Sequence, residues 1–476
     1  MLSRRVAEEE HVGNRPTLAI VVGLGWGARN YLLSDTLPEL CRFVRPIVLS
    51  PFTLPTDLQK YLGTFDVPTL SYELPELGRR GDFLFEASLI AYFHVQPTRA
   101  HRRRLAEWRR QPLRRLLIGA LAPVRHWAFP ILRSGFCRYL STLPAVRHLR
   151  RMLVQWHVDA IFSTNCFEIG EWPAVVSGKL LGLPVITAIT SWDNPTTKRF
   201  RVVDYDAYLV WGEQMKREVR QYLQVRDSER IFVTGAPQFD YYFQPRWHLS
   251  RSDFCSRLGL DPRRKIIVYS TVTPGIMPQE PAMIALVHDV VKHLPGAPQL
   301  LVRLHPKDRL SRYHWLRQHP ERQDIVWTLS GVPYDRARDN WCPVPADMEL
   351  AANTVCHGDA NVHCRFSTMM LDFAALDKPS VVIGFDHEGR VAEGQMYSHY
   401  EHLQPVVESG AVAVAWSVAE LRTYLAEALA EPEKRRVARH MVLRRLVGTL
   451  DGQSGRRVAQ AIRQVLHSRS KLAKVA

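Results

Sequence analysis

The chain has 476 residues, 46% of them hydrophobic and 23% charged, which excludes a disordered or fibrous protein and is ample for two globular domains. The net charge of +16 indicates an anionic partner, such as nucleic acid, acidic lipid or a nucleotide-linked substrate. Seven scattered cysteines without a Cys-x-x-Cys pair favour a reducing, cytoplasmic compartment. No uncharged apolar run reaches the ~20 residues of a membrane-spanning helix.

The first domain opens with an apolar run, Thr17–Val22, that predicts a buried strand. A glycine-rich turn follows, then a predicted helix towards Leu40 and a second strand over Pro46–Leu49. This order is a βαβ unit and indicates a Rossmann-like domain over residues 15–240. The second strand ends without an Asp or Glu that could bind a ribose, which argues against a dinucleotide site.

The stretch from Arg99 to Arg151 contains fourteen Arg, no Lys and one acid, Glu107. Aromatic and aliphatic residues, including Trp108 and Trp127, are interleaved with the arginines. Basic helices of this composition suit a membrane interface rich in anionic lipid. A solvated helical insertion that packs on the core through its apolar face fits equally well. Nucleic acid is disfavoured as the partner, because no helix-turn-helix, zinc-finger, RRM or KH signature is present.

Strands are next predicted over Asp159–Phe162 and Pro184–Ile189, and the second leads into the polar loop Thr190–Lys198. Ligands of open α/β sheets bind beyond the carboxyl ends of the strands, so this loop is a candidate site. Asp193 is the first candidate for a general base, and Glu168 is the second. The alternative is an Asx-turn in which Asp193 caps its own backbone.

A second Rossmann-like domain is predicted over residues 250–450. Its first strand leads into a hydroxyl-rich loop that includes Thr271, and a later strand ends at Arg303. Arg303, His305 and Lys307 cluster at that strand end, and Pro306 fixes the turn between them. Such a cluster can neutralise the charge of a diphosphate leaving group. His305 is also a catalytic candidate, as the alternative to Asp193 for taking the proton of the acceptor hydroxyl. A charged surface turn is the alternative.

The segment from Asp359 to Asp386 starts polar, continues as a predicted helix that Asp377-Lys378-Pro379 ends, and closes with a predicted strand over Val381–Gly384. Ser367 and Thr368 occupy the predicted helix start, where hydroxyl side chains favour N-capping and the backbone favours phosphate. Asp372 lies about one turn further along, where an acid can accept hydrogen bonds from sugar hydroxyls. An ordinary capped helix with a solvated Asp explains the same pattern.

Two metal-like patterns are set aside. Asp204-Tyr205-Asp206 forms a DxD sequence, but it precedes a predicted strand instead of following one. Cys-His pairs near residues 356 and 363 match no common zinc spacing. We therefore expect no metal site. The C-terminal segment 451–476 is predicted to be a helix that packs back on the first domain.

The segment FSTMMLDFAALDKPSVVIGFD resembles the donor site of bacterial GT-B-fold transferases. Similar proteins include the CDP-glycerol glycerophosphotransferase-like and surface-polysaccharide glycosyltransferase-like families, and the non-hydrolysing UDP-N-acetylglucosamine 2-epimerases have a comparable element. The sequences SWDNPTTK, VTGAPQFD and RLHPK also resemble segments of these transferases. The resemblance implies that Ser367 and Thr368 hold the donor phosphates, and that Asp372 binds the ribose. It further places Arg29, Asn30 and Asn194 on the acceptor side, although those families usually have Glu at the position of Asp372.

These observations predict an α/β protein with two Rossmann-like domains facing a cleft. The predicted function is metal-independent transfer of a glycosyl or polyol-phosphate group from a nucleotide-activated donor to a surface glycan or lipid-linked acceptor. The donor is a substrate, and no cofactor is expected. The expected location is the cytoplasm or the inner face of the plasma membrane. Alternatives are a UDP-sugar 2-epimerase-like enzyme and a non-catalytic, membrane-associated factor for polysaccharide assembly.

Overall fold

The structure is a computed structural model that describes residues 15–335, 340–391 and 399–475. The chain forms two units. Unit 1 consists of the described residues up to Gln238 and those from Gln453 onward, and unit 2 is Phe239–Gly452. Each unit is built on its own parallel sheet, as expected for an α/β protein.

Unit 1 contains seven strands in the order β3-β2-β1-β4-β5-β6-β7, and every neighbouring pair is parallel. The strands are β1 (Thr17–Val21), β2 (Arg45–Ser50), β3 (Thr69–Ser71), β4 (Val158–Ser163), β5 (Val185–Ala188), β6 (Ala207–Val210) and β7 (Ile231–Val233). The helices are α1 (Thr36–Cys41), α2 (Thr56–Gly63), α3 (Gly78–Val95), α4 (Arg99–Trp108), α5 (Pro112–Thr142), α6 (Pro144–Gln155), α7 (Trp172–Leu180), α8 (Asn194–Thr197) and α9 (Glu213–Tyr222).

Unit 2 contains six parallel strands in the order β10-β9-β8-β13-β14-β15, and β11 and β12 form a separate antiparallel pair. The strands are β8 (Ile266–Ser270), β9 (Gln299–Arg303), β10 (Val326–Thr328), β11 (Val332–Asp335), β12 (Asn340–Cys342), β13 (Ala360–Cys364), β14 (Ser380–Ile383) and β15 (Ala413–Ala415). The helices are α10 (Arg251–Leu258), α11 (Glu280–Lys292), α12 (His314–Gln318), α13 (Pro345–His357), α14 (Met369–Ala375), α15 (Gln404–Ser409), α16 (Val418–Ala430) and α17 (Arg436–Leu446).

In β1 every residue is buried, and the same is true of β8 and β13, because helices cover both faces of a parallel sheet. β1 and β8 were predicted from continuous apolar runs, and their positions are confirmed to within two residues. β13 was not predicted, because Asn361 and His363 interrupt its apolar pattern.

One predicted element is wrong. The segment after β1 does not form a single helix towards Leu40 but a short helical turn, Gly25–Gly27, a π-helical turn, Ala28–Leu32, and then α1. The Ser34 hydroxyl donates to the Asn30 carbonyl at 2.7 Å and takes the acceptor that a continuing helix would use. This side-chain competition ends the first segment.

The C-terminal helix, α18 (Ser454–Val475), belongs to unit 1. It packs against α1, and near its start Arg457 Nε donates to the Thr234 carbonyl at 2.8 Å. The left-handed turn at Gly235 (φ 80°) lies beside Ser454, where a Cβ atom would come within 2.5 Å of the serine hydroxyl. Glycine at this position therefore permits the close approach.

Candidate functional site

Each sheet has a point at which the strand order reverses, and loops at the carboxyl ends of the strands on either side form the usual ligand site of such sheets. In unit 1 the reversal lies between β1 and β4, and in unit 2 it lies between β8 and β13. The predicted site residues lie mainly on the loops at these two points or on the strand next to them.

In unit 2, two loops are tied together at the reversal point. Thr271 follows β8, and its backbone N–H donates to the Arg303 carbonyl at the end of β9 at 3.0 Å. The Thr271 hydroxyl accepts a hydrogen bond from the His305 backbone N–H at 2.7 Å. Thr271 is buried, so its hydroxyl fixes the position of the His305 loop. Its predicted contact with phosphate stays a prediction.

The His305 ring is held in one tautomer. Its Nδ1 accepts a hydrogen bond from the Lys307 backbone N–H at 3.1 Å, so in the neutral ring the proton is on Nε2. Thr273 Oγ1 lies 3.5 Å from Nε2. Burial and the neighbouring Lys307 lower the pKa of His305 to about 4. His305 is therefore neutral at physiological pH, and its Nε2–H is a hydrogen-bond donor.

This result corrects one part of the predicted cationic cluster. Arg303 is buried at the end of β9, where its guanidinium donates to the Leu329 carbonyl at 3.5 Å. Lys307 is partly exposed on the following loop. These two side chains supply positive charge, whereas His305 supplies a neutral donor.

Arg365, which the sequence analysis overlooked, adds a third cation. It follows β13 directly and is buried. Its φ angle is 58°, in the left-handed region that residues other than glycine rarely adopt. Such strain persists where surrounding structure enforces it, which is common at functional sites. An Arg in a sequence gives no indication that its backbone adopts a left-handed angle.

The predicted helix start after Arg365 is only partly as expected. α14 begins at Met369, and Thr368 at its N-cap position makes no side-chain capping bond. The Ser367 hydroxyl accepts a long hydrogen bond, 3.4 Å, from the Met369 N–H. Both hydroxyls are partly exposed. They cap the helix weakly, and their role towards phosphate stays a prediction.

Asp372 differs from the solvated acid of the alternative interpretation. Its side chain is only 4% exposed, and its Oδ1 accepts a hydrogen bond from the Tyr242 hydroxyl at 2.7 Å. Burial and the Asp372 carboxylate raise the pKa of Tyr242 well above its usual value, so Tyr242 is a stable donor. The carboxylate is thus engaged inside unit 2, and its predicted ribose contact is untested.

A buried acid supports the loop after β8. Glu280 in α11 accepts hydrogen bonds from the Val272 N–H at 3.0 and 3.2 Å, and the Tyr269 hydroxyl lies 3.3 Å away. Burial raises the pKa of Glu280 to about 8. No sequence pattern singles out Glu280, because an acid in the first turn of a helix is typical of a solvated helix start, and its bond to the loop eight residues earlier is visible only in the structure.

Unit 1 has a comparable acid, also overlooked. Glu171 is fully buried and accepts from the Gly23 N–H at 3.0 Å and the Thr164 hydroxyl at 2.6 Å. Its other oxygen accepts from the Ser163 hydroxyl at 2.7 Å and the Asn165 N–H at 3.1 Å. Burial raises its pKa to about 7, against the effect of these hydrogen bonds. Glu171 thereby ties the loop after β1 to the end of β4.

Glu168, a predicted catalytic residue, lies beside Glu171. A Cβ atom at Gly23 would come within 2.7 Å of the side chains of both acids, so only glycine fits there. Glu168 is partly exposed, and its carboxylate accepts a hydrogen bond from the Gly170 N–H at 3.1 Å. The reversal point of unit 1 therefore contains two neighbouring carboxyl groups.

Asp193, the other predicted base, is held by its own loop. Its Oδ1 accepts from the Ser191 hydroxyl at 2.5 Å and the Asn194 amide at 3.2 Å, and its Oδ2 accepts from the Thr197 hydroxyl at 3.0 Å. This network matches the local-turn alternative, although Asp193 remains partly exposed. Its catalytic role stays a prediction, as does the acceptor role of Asn194.

The stretch from Arg99 to Arg151 is helical, and it is anchored to the Asp193 loop. The Thr98 hydroxyl donates to the Thr196 carbonyl at 2.7 Å. His101 Nε2 lies 2.9 Å from the Lys198 carbonyl, and Nδ1 lies 2.6 Å from the Gln96 carbonyl. The start of α4 therefore fixes the end of the candidate acceptor loop.

One face of α5 is apolar and solvent-exposed. Leu113 is 83% exposed and Trp127 is 61% exposed, and Leu116 and Ile131 are exposed on the same face. Spacings of three, eleven and four residues place these side chains along one stripe, here named the α5 stripe, about 27 Å long. None of the helices in the described residues is long and apolar enough to cross a bilayer.

The DxD acids have structural partners. Asp204 forms ion pairs with Arg201 and Arg133, and Asp206 accepts hydrogen bonds from Lys179 Nζ at 2.6 Å and the Val185 N–H at 2.8 Å. In the described part of the chain, no three His, Cys, Asp or Glu side chains are grouped as a metal site would require.

The two reversal points and the two parallel sheets define the α/β class known as the GT-B fold, and solved structures of that fold are similar to this chain. S. aureus MnaA in complex with UDP superposes with a TM-score of 0.56 at 11% identity, covering 95% of this chain and 97% of that one. A UDP-GlcNAc 2-epimerase from Neisseria meningitidis, bound to UDP-GlcNAc, gives 0.56 at 10% identity over 94% and 100% of the two chains.

A variant of the wall teichoic acid polymerase TagF gives a TM-score of 0.51 at 10% identity, covering 96% of this chain and 90% of that one. At such identities the similarity establishes the fold. No protein-family model matches the chain, and no curated protein sequence matches it significantly.

Proposed function

We propose that the protein transfers a glycosyl or polyol-phosphate group from a nucleotide-activated donor to a glycan or lipid-linked acceptor. The observation that carries this proposal is the chemistry at the reversal point of unit 2. Arg303, Lys307 and Arg365 follow β9 and β13, the two strands that flank β8, beside the hydroxyl-rich loop after β8. Cations and preorganised donors suit the diphosphate of a nucleotide.

In the proposed reaction, an acceptor hydroxyl attacks the transferred carbon or phosphorus atom, and the bond to the leaving phosphate breaks. The leaving nucleotide keeps the electron pair. Arg303, Lys307 and the Nε2–H of His305 stabilise its charge. Because Nδ1 of His305 already accepts the Lys307 N–H, the proton of the acceptor goes to a carboxylate, for which Asp193 is the candidate. Protein groups supply the positive charge, so chelation with EDTA is expected to leave the rate unchanged.

The test is nucleotide binding by the purified protein, measured by thermal shift and calorimetry with UDP, CDP, GDP, TDP and CMP. One nucleotide should raise the melting temperature. Arg303→Met and Lys307→Met should each weaken binding of that nucleotide by about tenfold or more. Arg263→Met is the matched control, because Arg263 is exposed and pairs only locally with Asp261. If no nucleotide binds, or if the control loses binding equally, the proposal fails.

A second candidate is a nucleotide-sugar 2-epimerase, which needs acid/base groups at the sugar. The neighbouring Glu168 and Glu171, with the pKa of Glu171 raised to about 7, favour it. Incubation of UDP-GlcNAc in D₂O distinguishes the two. An epimerase incorporates deuterium at C2 and conserves the nucleotide sugar, whereas a transferase releases nucleotide only when acceptor is present. A binding protein does neither.

We also propose that the α5 stripe contacts an anionic bilayer at the inner face of the plasma membrane. Apolar residues flanked by arginines, including Arg115 and Arg125, match the chemistry of that surface. The protein should float with vesicles that contain phosphatidylglycerol and less with neutral vesicles. Trp127→Ser/Ile131→Ser should abolish flotation, and Phe83→Ser, which alters an exposed residue of α3, should not. Equal behaviour of the two variants would contradict this proposal.

A further inference from the structure

The π-helical turn after β1 presents an unusual polar cluster in unit 1. Arg29 Nε donates to Asn30 Oδ1 at 3.0 Å, and Arg29 Nη2 donates to Gln238 Oε1 at 2.5 Å. The guanidinium also lies over the Trp26 ring at 4.8 Å from its centroid. π-Helical turns are rare and occur often at functional sites. We name Arg29, Asn30 and Gln238 the unit 1 amide cluster.

The two amide groups have a fixed orientation. Arginine has only donors, so the amide oxygen of each residue must face Arg29, and the NH₂ groups must point away. Asn30 is 0% exposed and Gln238 is 2% exposed. Nδ2 of Asn30 and Nε2 of Gln238 have no hydrogen-bond acceptor among the residues that the structure describes. The cluster therefore offers two buried, unpaired NH₂ groups.

Unpaired buried donors destabilise the folded state, and native proteins rarely leave them without a purpose. A ligand can offset the loss of stability from these unpaired donors only if it supplies several hydrogen-bond acceptors. Arg29 has five N–H donors, of which these bonds use two, so the same group can also bind its guanidinium. A phosphate or carboxylate has the required lone pairs and charge, whereas a neutral hydroxyl has too few.

The surroundings make the cluster a built site. The turn is held against the end of β4, because a Cβ atom at Gly27 would come within 2.3 Å of the Thr164 hydroxyl. Thr164 itself is bonded to Glu171. Arg29 and Asn30 thus lie on the loop at the reversal point of unit 1, where open α/β sheets bind ligands, and Gln238, which follows β7, joins them through its bond to Arg29.

We infer that the unit 1 amide cluster binds an anionic group of the acceptor, either a phosphate or a carboxylate. The identification of that molecule as the acceptor rests on the proposed transferase function, whereas the anion site does not. A lipid-linked acceptor would present a phosphate, and an acidic glycan would present the carboxylate of a uronic acid.

The experiment measures thermal shift and calorimetric binding of geranyl phosphate and glucuronate, with geraniol and glucose as their uncharged counterparts. One anion should bind, and its neutral counterpart should not. Arg29→Gln, Asn30→Leu and Gln238→Met should each weaken binding of the anion at least tenfold. Gln59→Met is the matched control, since the Gln59 amide donates to the Leu54 carbonyl instead. Which of the two anions binds identifies the class of acceptor.

The inference is overturned if no anion binds at about 100 times the concentration at which nucleotide binds. It is also overturned if the neutral counterpart binds as tightly as the anion. The third contradicting outcome is that Gln238→Met and Arg29→Gln bind the anion as the wild type does. Nucleotide binding in the same variants separates this result from the proposed function. If nucleotide binds and no anion does, the transferase proposal stands and the anion site falls. If an anion binds and no nucleotide does, the site stands without the transferase.

Discussion

Glu171 in unit 1 and Glu280 in unit 2 both accept the backbone N–H of a loop that follows a central strand, Gly23 after β1 and Val272 after β8. Both acids are buried, and both have a raised pKa. The two acids differ in where they lie in the chain relative to the loops that they bond. Glu280 lies on the helix that follows β8 itself, whereas Glu171 follows β4 and crosses the point of strand reversal.

The charged groups near the two acids differ more than the hydrogen bonds that the acids accept. In unit 2 the Glu280 carboxylate lies 3.7 Å from Arg312 Nη1, and the carboxyl ends of β9 and β13 with their loops carry Arg303, Lys307 and Arg365. At that of unit 1 a second acid, Glu168, lies beside Glu171, and the Arg29 cation sits among amides. Similar backbone architecture therefore supports different chemistry. Unit 2 presents cations at its strand ends, whereas unit 1 presents two neighbouring acids and a cation bonded to amides.

The largest expected effect is on catalysis at His305. His305→Ala should lower kcat by about 10²–10³, because it removes a preorganised donor to the leaving phosphate. His305→Gln should retain a measurable part of the rate, since its amide NH₂ can replace the Nε2–H donor. Steady-state kinetics with the nucleotide-activated donor that binds in the screen provides the measurement.

A matching test in unit 1 is Asp193→Asn, which should lower kcat and remove the fall in rate at low pH if Asp193 takes the proton, because a general base acts only when deprotonated. The wild-type profile should contain no contribution from His305 between pH 5 and 8, because its pKa is about 4. Equal inactivity of His305→Gln and His305→Ala would show that the ring acts as a base, and would contradict the assigned tautomer.

The next effect is on stability. Glu171→Ala leaves two backbone N–H groups and two hydroxyls without their acceptor and opens a cavity, so it should lower the free energy of unfolding by about 3–5 kcal/mol. Glu280→Ala removes fewer hydrogen bonds and should cost less. Urea unfolding of both variants gives the comparison. A larger loss in Glu280→Ala would show that the second loop depends on its acid more than the hydrogen bonds indicate.

The same two acids predict a dependence of stability on pH. Their pKa values in the folded state, about 7 and about 8, exceed the ordinary value of 4.5, so the folded protein binds more protons than the unfolded chain above that value. The contribution to stability is full below about pH 4.5 and is lost as pH rises through 7 and 8. Glu171→Gln should flatten this decline between pH 5 and 7 by about 1–3 kcal/mol, as urea midpoints would show. An unchanged slope would mean that Glu171 ionises freely.

The sequence predicted the strands well, since a parallel sheet buries both faces and leaves continuous apolar runs such as β1 and β8. It also predicted the polar loops at strand ends, because the chemistry of Arg303, His305 and Lys307 is local. It did not predict Glu171 or Glu280. In a sequence a buried acid cannot be distinguished from a solvated one, whether the loop that it bonds is distant, as for Glu171, or eight residues away, as for Glu280. The π-helical turn at Arg29 was missed for a similar reason, because it depends on the Ser34 hydroxyl and on the close approach of Gly27 to Thr164.

The smallest expected effect on stability concerns Arg365, whose left-handed backbone has a counterpart in unit 1. Asp66 has a φ angle of 54° on an exposed turn, and Arg365 has one of 58° at a reversal point. Glycine at either position relieves about 1 kcal/mol of strain. At Asp66 this gain should appear as a small rise in melting temperature. At Arg365 it should be offset by lost side-chain packing, which leaves stability nearly unchanged.

The two glycine variants should differ in nucleotide binding. Arg365→Gly should weaken the nucleotide by about tenfold or more, because a buried guanidinium at the end of β13 is lost, whereas Asp66→Gly should bind as the wild type does. Calorimetry on both variants makes the measurement. If Arg365→Gly instead destabilises unit 2 strongly and keeps its affinity for nucleotide, the left-handed backbone of Arg365 positions its side chain for packing and not for nucleotide binding. The positive charge at the reversal point of unit 2 would then rest on Arg303 and Lys307.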